Sequence, residues 1–160
     1  MTPPSTPEKR LLVVFHSRSG GTAAMVDAAV AGARDDAIEG VEVCVQGAFD
    51  TSPDDVLACN GIVLATPENF GYMSGALKDF FDRVFYPVVE HTPGLPYALL
   101  VKASTDGEGA VRSVERIVAG LRWKQVVPPL VVAGELAPDD LDRCRELGAT
   151  IAAGLEAGMF

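Results

Sequence analysis

The chain has 160 residues, of which 48% are hydrophobic and 22% charged, with a formal net charge of −9. That balance excludes a disordered polymer, suits one domain with its own core, and argues against nucleic acid or an anionic membrane as partner. Cys44, Cys59 and Cys144 are odd in number and widely spaced, without a CxxC or Cys/His cluster, so neither a disulfide framework nor a zinc site is expected. Buried free thiols in a reducing cytoplasm account for them.

Met1 to Lys9 is Pro-rich and polar, lacks the apolar centre of a signal peptide, and is expected to be a loose tail before a single domain over residues 10–160. Leu11-Leu12-Val13-Val14-Phe15 is a continuous apolar run, the pattern of a strand buried on both faces. Ser17-Arg18-Ser19-Gly20-Gly21-Thr22 follows, and Ala23 to Val30 reads as a helix. A hydroxyl- and glycine-rich turn therefore sits where a strand gives way to a helix. Free backbone amides and the positive end of the helix dipole favour a phosphate there. Ser17, Ser19 and Thr22 offer hydroxyls, Arg18 a fixed charge, and Gly20 and Gly21 close approach of the backbone. The plainer alternative is a capped helix and a tight turn. A P-loop is excluded because its Lys is missing, and a dinucleotide fingerprint because GxGxxG is absent.

Val41 to Val45 alternates and reads as an edge strand; Ser52-Pro53-Asp54-Asp55 is a helix start. Ile62 to Ala65 is a buried third strand, running into a loop Thr66-Pro67-Glu68-Asn69-Phe70-Gly71-Tyr72-Met73. Ser74 caps a helix with apolar positions Leu77, Phe80, Phe81, Val84 and Phe85, expected to be ended by Pro87 and later Pro93-Gly94. Tyr97 to Val101 is the fourth strand, followed by a second polar turn, Ser104-Thr105-Asp106-Gly107-Glu108-Gly109, and a helix striped by Val111, Val114, Ile117, Val118 and Leu121. A fifth strand is split around Pro128-Pro129, and Pro138-Asp139-Asp140 starts the last helix. Strands alternating with helices imply a parallel sheet covered on both faces, an α/β domain of three layers. The polar loops after strands one, three and four then share the carboxyl edge of the sheet, where such folds bind ligands.

The loop Ser17–Thr22 resembles the FMN-phosphate loop of flavodoxin-like proteins. The stretch Thr66 to Lys78 resembles the flavin-ring loop and following helix of NAD(P)H-dependent FMN reductases and of tryptophan-repressor-binding-protein-like quinone reductases; Ser104–Gly109 resembles their third flavin loop. The resemblance implies a five-stranded sheet in the flavodoxin-like order 2-1-3-4-5 and FMN as cofactor. It implies contacts from Ser17, Arg18, Ser19, Gly20, Gly21, Thr22, Thr66, Pro67, Glu68, Asn69, Phe70, Gly71, Ser104, Thr105, Asp106, Gly107 and Gly109. It further implies NAD(P)H as co-substrate, and a quinone, free flavin or similar small acceptor. No catalytic side chain is expected, because the flavin carries the chemistry. An electron carrier without nicotinamide activity is the alternative, and the acidic charge suits it equally. A phosphorylated receiver domain of the same topology is excluded, since its acidic residues are replaced by Phe15-His16-Ser17 and Ala65-Thr66. His16 and His91 read as structural, as does Trp123. Apolar bulk at Tyr72, Met73, Phe85, Tyr86 and Pro87 suggests a homodimer.

Overall fold

A computed structural model describes residues 9–160. The expected tail thus lies outside the described residues, except Lys9, which opens the first strand opposite Val41. The sheet contains β1 (Lys9–Phe15), β2 (Val41–Gly47), β3 (Gly61–Asn69), β4 (Tyr72–Met73), β5 (Pro96–Ala103), β6 (Lys124–Gln125) and β7 (Leu130–Ala133). The helices are α1 (Gly21–Ala33), α2 (Pro53–Leu57), α3 (Gly75–Val88), α4 (Glu108–Leu121) and α5 (Pro138–Glu156), with a 3-10 turn at Ala48–Asp50.

The parallel order is β2-β1-β3-β5, closed by β6 and β7, which extend the same edge of β5 in two pieces. This is the expected order 2-1-3-4-5, with the fifth strand broken at Pro128-Pro129, where two residues lack the N–H a ladder needs. The short antiparallel β4 is added to the end of β3.

The apolar runs are continuous because each strand feeds two cores. Leu12, Val14, Ile62, Leu64, Leu99 and Val101 face the side covered by α2, α3 and α4. Leu11, Val13, Val63, Ala65, Ala98 and Leu100 face the side covered by α1 and α5. The caps fall where the residue types place them. Ser52 and Asp55 exchange backbone hydrogen bonds in a capping box at α2, and Ser74 Oγ accepts from Leu77 N at 3.2 Å at α3. Helix α3 ends at Val88, one residue past Pro87, which itself sits inside the final turn. So near the end the proline costs only its own N–H, and Val89 N still donates to Phe85 O at 2.9 Å. Of the apolar residues offered for self-association, Met73 is buried and Phe85 half-buried, while Tyr86 is 82% exposed. The Trp123 indole is buried and donates to Thr92 Oγ1 at 2.9 Å, a structural role.

Helices α1 and α5 pack backbone to backbone. A Cβ at Gly32 would overlap the Arg145 carbonyl, and one at Gly148 would overlap the Ala29 carbonyl. Gly148→Ala is therefore expected to force the helices apart and cost about 1–3 kcal/mol by overpacking. Urea unfolding checks this, and an unchanged midpoint would contradict the contact.

Candidate functional site

Strands β1, β3 and β5 run parallel, so their carboxyl ends share one edge, and the three polar loops meet there. In the first loop, Ser17 Oγ accepts from Gly20 N and Ala23 N, both at 3.2 Å. Ser17 Oγ thus caps the first turn of α1 through Ala23 N, as the helix-cap alternative expects, while its O–H donates to no acceptor among the described residues. Gly20 takes φ +95° at the start of α1, a conformation that favours glycine. Among the described residues, the amides of Ser19, Gly21 and Thr22 donate to no protein acceptor. The Thr22 side chain is buried in the first helical turn; Arg18 is exposed and forms no ion pair among the described residues. His16 N donates to Ala65 O at 3.2 Å, and its ring meets Phe49 edge-on at 6.1 Å.

The second stretch is a hairpin rather than a loop. Glu68 pairs with Met73 and Asn69 with Tyr72, leaving Phe70 and Gly71 as the two turn residues. Their φ values are +53° and +72°, as a type I′ turn requires. Gly71 takes this without cost, but a bulky residue there is strained by about 1–2 kcal/mol. Phe70 is nevertheless held in that position with its ring wholly exposed. Thr66 is buried; its hydroxyl donates to Pro67 O at 2.8 Å and accepts from Ser74 N at 2.9 Å. It ties the hairpin to α3, and its hydroxyl is spent internally.

The third loop is fused to that hairpin. Gly107 (φ +72°) is the N-cap of α4 and brings no capping side chain. Glu68 supplies the cap from the hairpin: Oε2 accepts from Ala110 N at 3.1 Å, and Oε1 accepts from Thr105 Oγ1 at 3.4 Å. Met73 N donates to Ser113 Oγ at 3.1 Å. A Cβ at Gly109 would overlap the Gly71 carbonyl. Asp106 Oδ1 accepts from Glu108 N at 3.1 Å and shapes the turn, while Ser104 is exposed. Of the expected site residues, Ser17, Thr66, Thr105 and Gly109 therefore bind the loops to themselves and to each other. Ser19, Gly21, Phe70 and Ser104 present groups outward, whereas the Thr22 side chain, expected to offer its hydroxyl, is buried.

Lys102, not among the expected site residues, lays its stem against Gly21. Its position next to the third loop on β5 was the available signal. Cations Arg18 and Lys102 thus border the first loop, and carboxylates Glu68, Asp106 and Glu108 the other two. A hollow of about 510 Å³ lies elsewhere, between β7 and α5, and is lined by residues such as Val127, Pro129, Arg143 and Thr150. It is open and offers no convergent set of donors, whereas the loop edge does. Among the described residues no cluster of His, Cys, Asp and Glu could hold a metal, and no helix is long and apolar enough to cross a membrane.

The strand order and the loops gathered at its carboxyl edge define a flavodoxin-like domain. A flavodoxin from the domain Archaea superposes with a TM-score of 0.80 at 22% identity, over 92% of this chain and 99% of that one. Residues 44–137 match the family model described as NADPH-dependent FMN reductase, and the chain belongs to that family. The match takes in the second and third loops; the first lies outside it. A flavodoxin from Aquifex aeolicus is 35% identical over 75 residues, 47% of this chain and 40% of its own length. An NAD(P)H dehydrogenase (quinone) from Acidithiobacillus ferrooxidans is 32% identical over 94 residues, 46% of each chain. The matches span less than half the length of these curated relatives.

The latch between the loops has a direct test. Glu68→Ala removes the cap of α4 and should cost about 1 kcal/mol, with faster hydrogen exchange at the Ala110 amide. Gly109→Ala should cost about 1–3 kcal/mol and also release the Met73 amide. Urea unfolding and amide exchange report both; unaltered exchange at Ala110 and Met73 would show the hairpin to be independent of α4.

Proposed function

We propose that this chain binds FMN and acts as an NAD(P)H-dependent oxidoreductase that passes electrons to a quinone, a free flavin or a similar small acceptor. The observation that carries it is the convergence of the three loops, with free amides on the first and an exposed aromatic on the second. The residues present fit the group. The amides of Ser19, Gly21 and Thr22 would hold the phosphate at the positive end of α1. The backbone of Pro67–Gly71 and Ser104–Gly107 would border the ring, whose edge needs donors and acceptors, and Phe70 would pack against it. When bound, the flavin would supply the redox chemistry between nicotinamide and acceptor.

The protein's own part is positioning and charge. The latch of Glu68 to Ala110 and Thr105 holds the two ring-side loops at a fixed separation. The carboxylates of Glu68, Asp106 and Glu108 oppose extra negative charge nearby and so lower the reduction potential of a bound flavin. A phosphate cradled at a helix start leaves little room for an attached adenylate, so FAD binds worse than FMN. Membership of the reductase family, matched over the ring-side loops themselves, favours a nicotinamide-dependent enzyme over an electron carrier.

Anaerobic mixing of the FMN-loaded protein with NADPH or NADH tests this. Either nucleotide should bleach the visible band directly, and a quinone should restore it rapidly. If neither bleaches the band within minutes while dithionite does, the chain is a carrier and not a reductase.

A further inference from the structure

Lys102 is the penultimate residue of β5, on the face of the sheet turned towards α1. Its stem crosses the first residue of that helix. Measured from where a Cβ of Gly21 would stand, Lys102 Cγ lies at 3.2 Å, Cε at 3.3 Å and Cδ at 3.5 Å. The ammonium is one bond further on. The side chain is half-buried, and the nearest acceptor of Nζ is the Ala103 carbonyl at 3.5 Å, the outer limit of a hydrogen bond. Among the described residues no carboxylate lies within 4.0 Å of it. Asp140, at the start of α5, is held below the usual carboxylate range first by the Ala137 amide at 2.9 Å and then by Arg143 Nη2 at 2.6 Å, with the Lys102 charge the last of its causes.

This cation stands beside the N-terminus of a 13-residue helix, whose dipole repels positive charge. The amides of Ser19, Gly21 and Thr22 add donors of the same sign. Like charges gathered with no carboxylate among the described residues within 4.0 Å of the ammonium favour an anion between them. Arg18 contributes less, because it is exposed and must lose its rotamer freedom to bind. Lys102 has its stem already ordered by Gly21.

We propose that Lys102, not Arg18, is the cation that binds the phosphate of the flavin. This rests on the FMN reading above. It also gives Gly21 a second purpose, since a Cβ there would press on the lysine stem.

The test titrates FMN and riboflavin against the wild type, Lys102→Gln, Lys102→Arg, Arg18→Gln and Gly21→Ala, by flavin fluorescence at low and high salt. Circular dichroism and melting confirm that each variant is folded. Lys102→Gln should weaken FMN roughly tenfold and flatten its salt dependence, as expected for loss of a charge-assisted contact, while riboflavin binds unchanged. Lys102→Arg should retain most of the affinity, Gly21→Ala should fall between, and Arg18→Gln should stay within about twofold of the wild type. The proposal is overturned if Lys102→Gln binds FMN as tightly as the wild type, if it loses riboflavin equally, or if Arg18→Gln is the weaker binder. A wild type that binds riboflavin and FMN alike overturns the phosphate site as a whole, and one that binds neither removes the FMN reading and this proposal together.

Discussion

The contact on which the site depends is the seating of the β3–β4 hairpin on the first turn of α4. Gly109 has no side chain, so the Gly71 carbonyl can rest against its backbone. That approach brings Glu68 within reach of the Ala110 amide and the Thr105 hydroxyl, which satisfies a helix start whose own N-cap is a glycine. Two loops that are separate in sequence thereby become one rigid wall. The strained turn at Phe70 persists because this seating over-determines it, and strain retained beside an exposed aromatic points to function rather than stability.

The edge is divided electrically. One end combines the start of α1, free amides, Arg18 and Lys102. The other carries Glu68, Asp106 and Glu108, of which Glu108 is partly offset by Arg112 at 3.0 Å. A ligand with a doubly charged phosphate at one end and a flat, neutral ring at the other matches that division. The parallel sheet makes it possible, because it delivers three strand ends, and the starts of α1 and α4, to one line.

Much of the fold was legible in the sequence. Unbroken apolar runs such as Leu11–Phe15 and Ile62–Ala65 required strands buried on both faces, and Ser52 and Ser74 marked helix starts by their capping chemistry. The hairpin was not legible, because Pro67, Asn69 and Gly71 are turn formers. Pro67 is tolerated in β3 because the pairing with β1 stops at Ala65, so nothing beyond it needs the missing N–H on that side. In the site, the residue types of the three loops were readable but their division of labour was not. Ser17, Thr66 and Glu68 look like ligand groups in the sequence and are engaged in holding loops together. Lys102 was missed because its meaning comes from Gly21, which only the folding of β5 beside α1 brings to it.

We propose that the three loops form one FMN site. The most direct test follows the amide resonances of 15N-labelled protein during titration with FMN. The largest shifts should fall on Ser19, Gly21 and Thr22, on Asn69 to Gly71 and on Ser104 to Gly107, saturating together at one flavin per chain. Shifts centred instead on Val127 to Val131 and α5, around the hollow there, would contradict it, as would saturable shifts confined to one of the three loops.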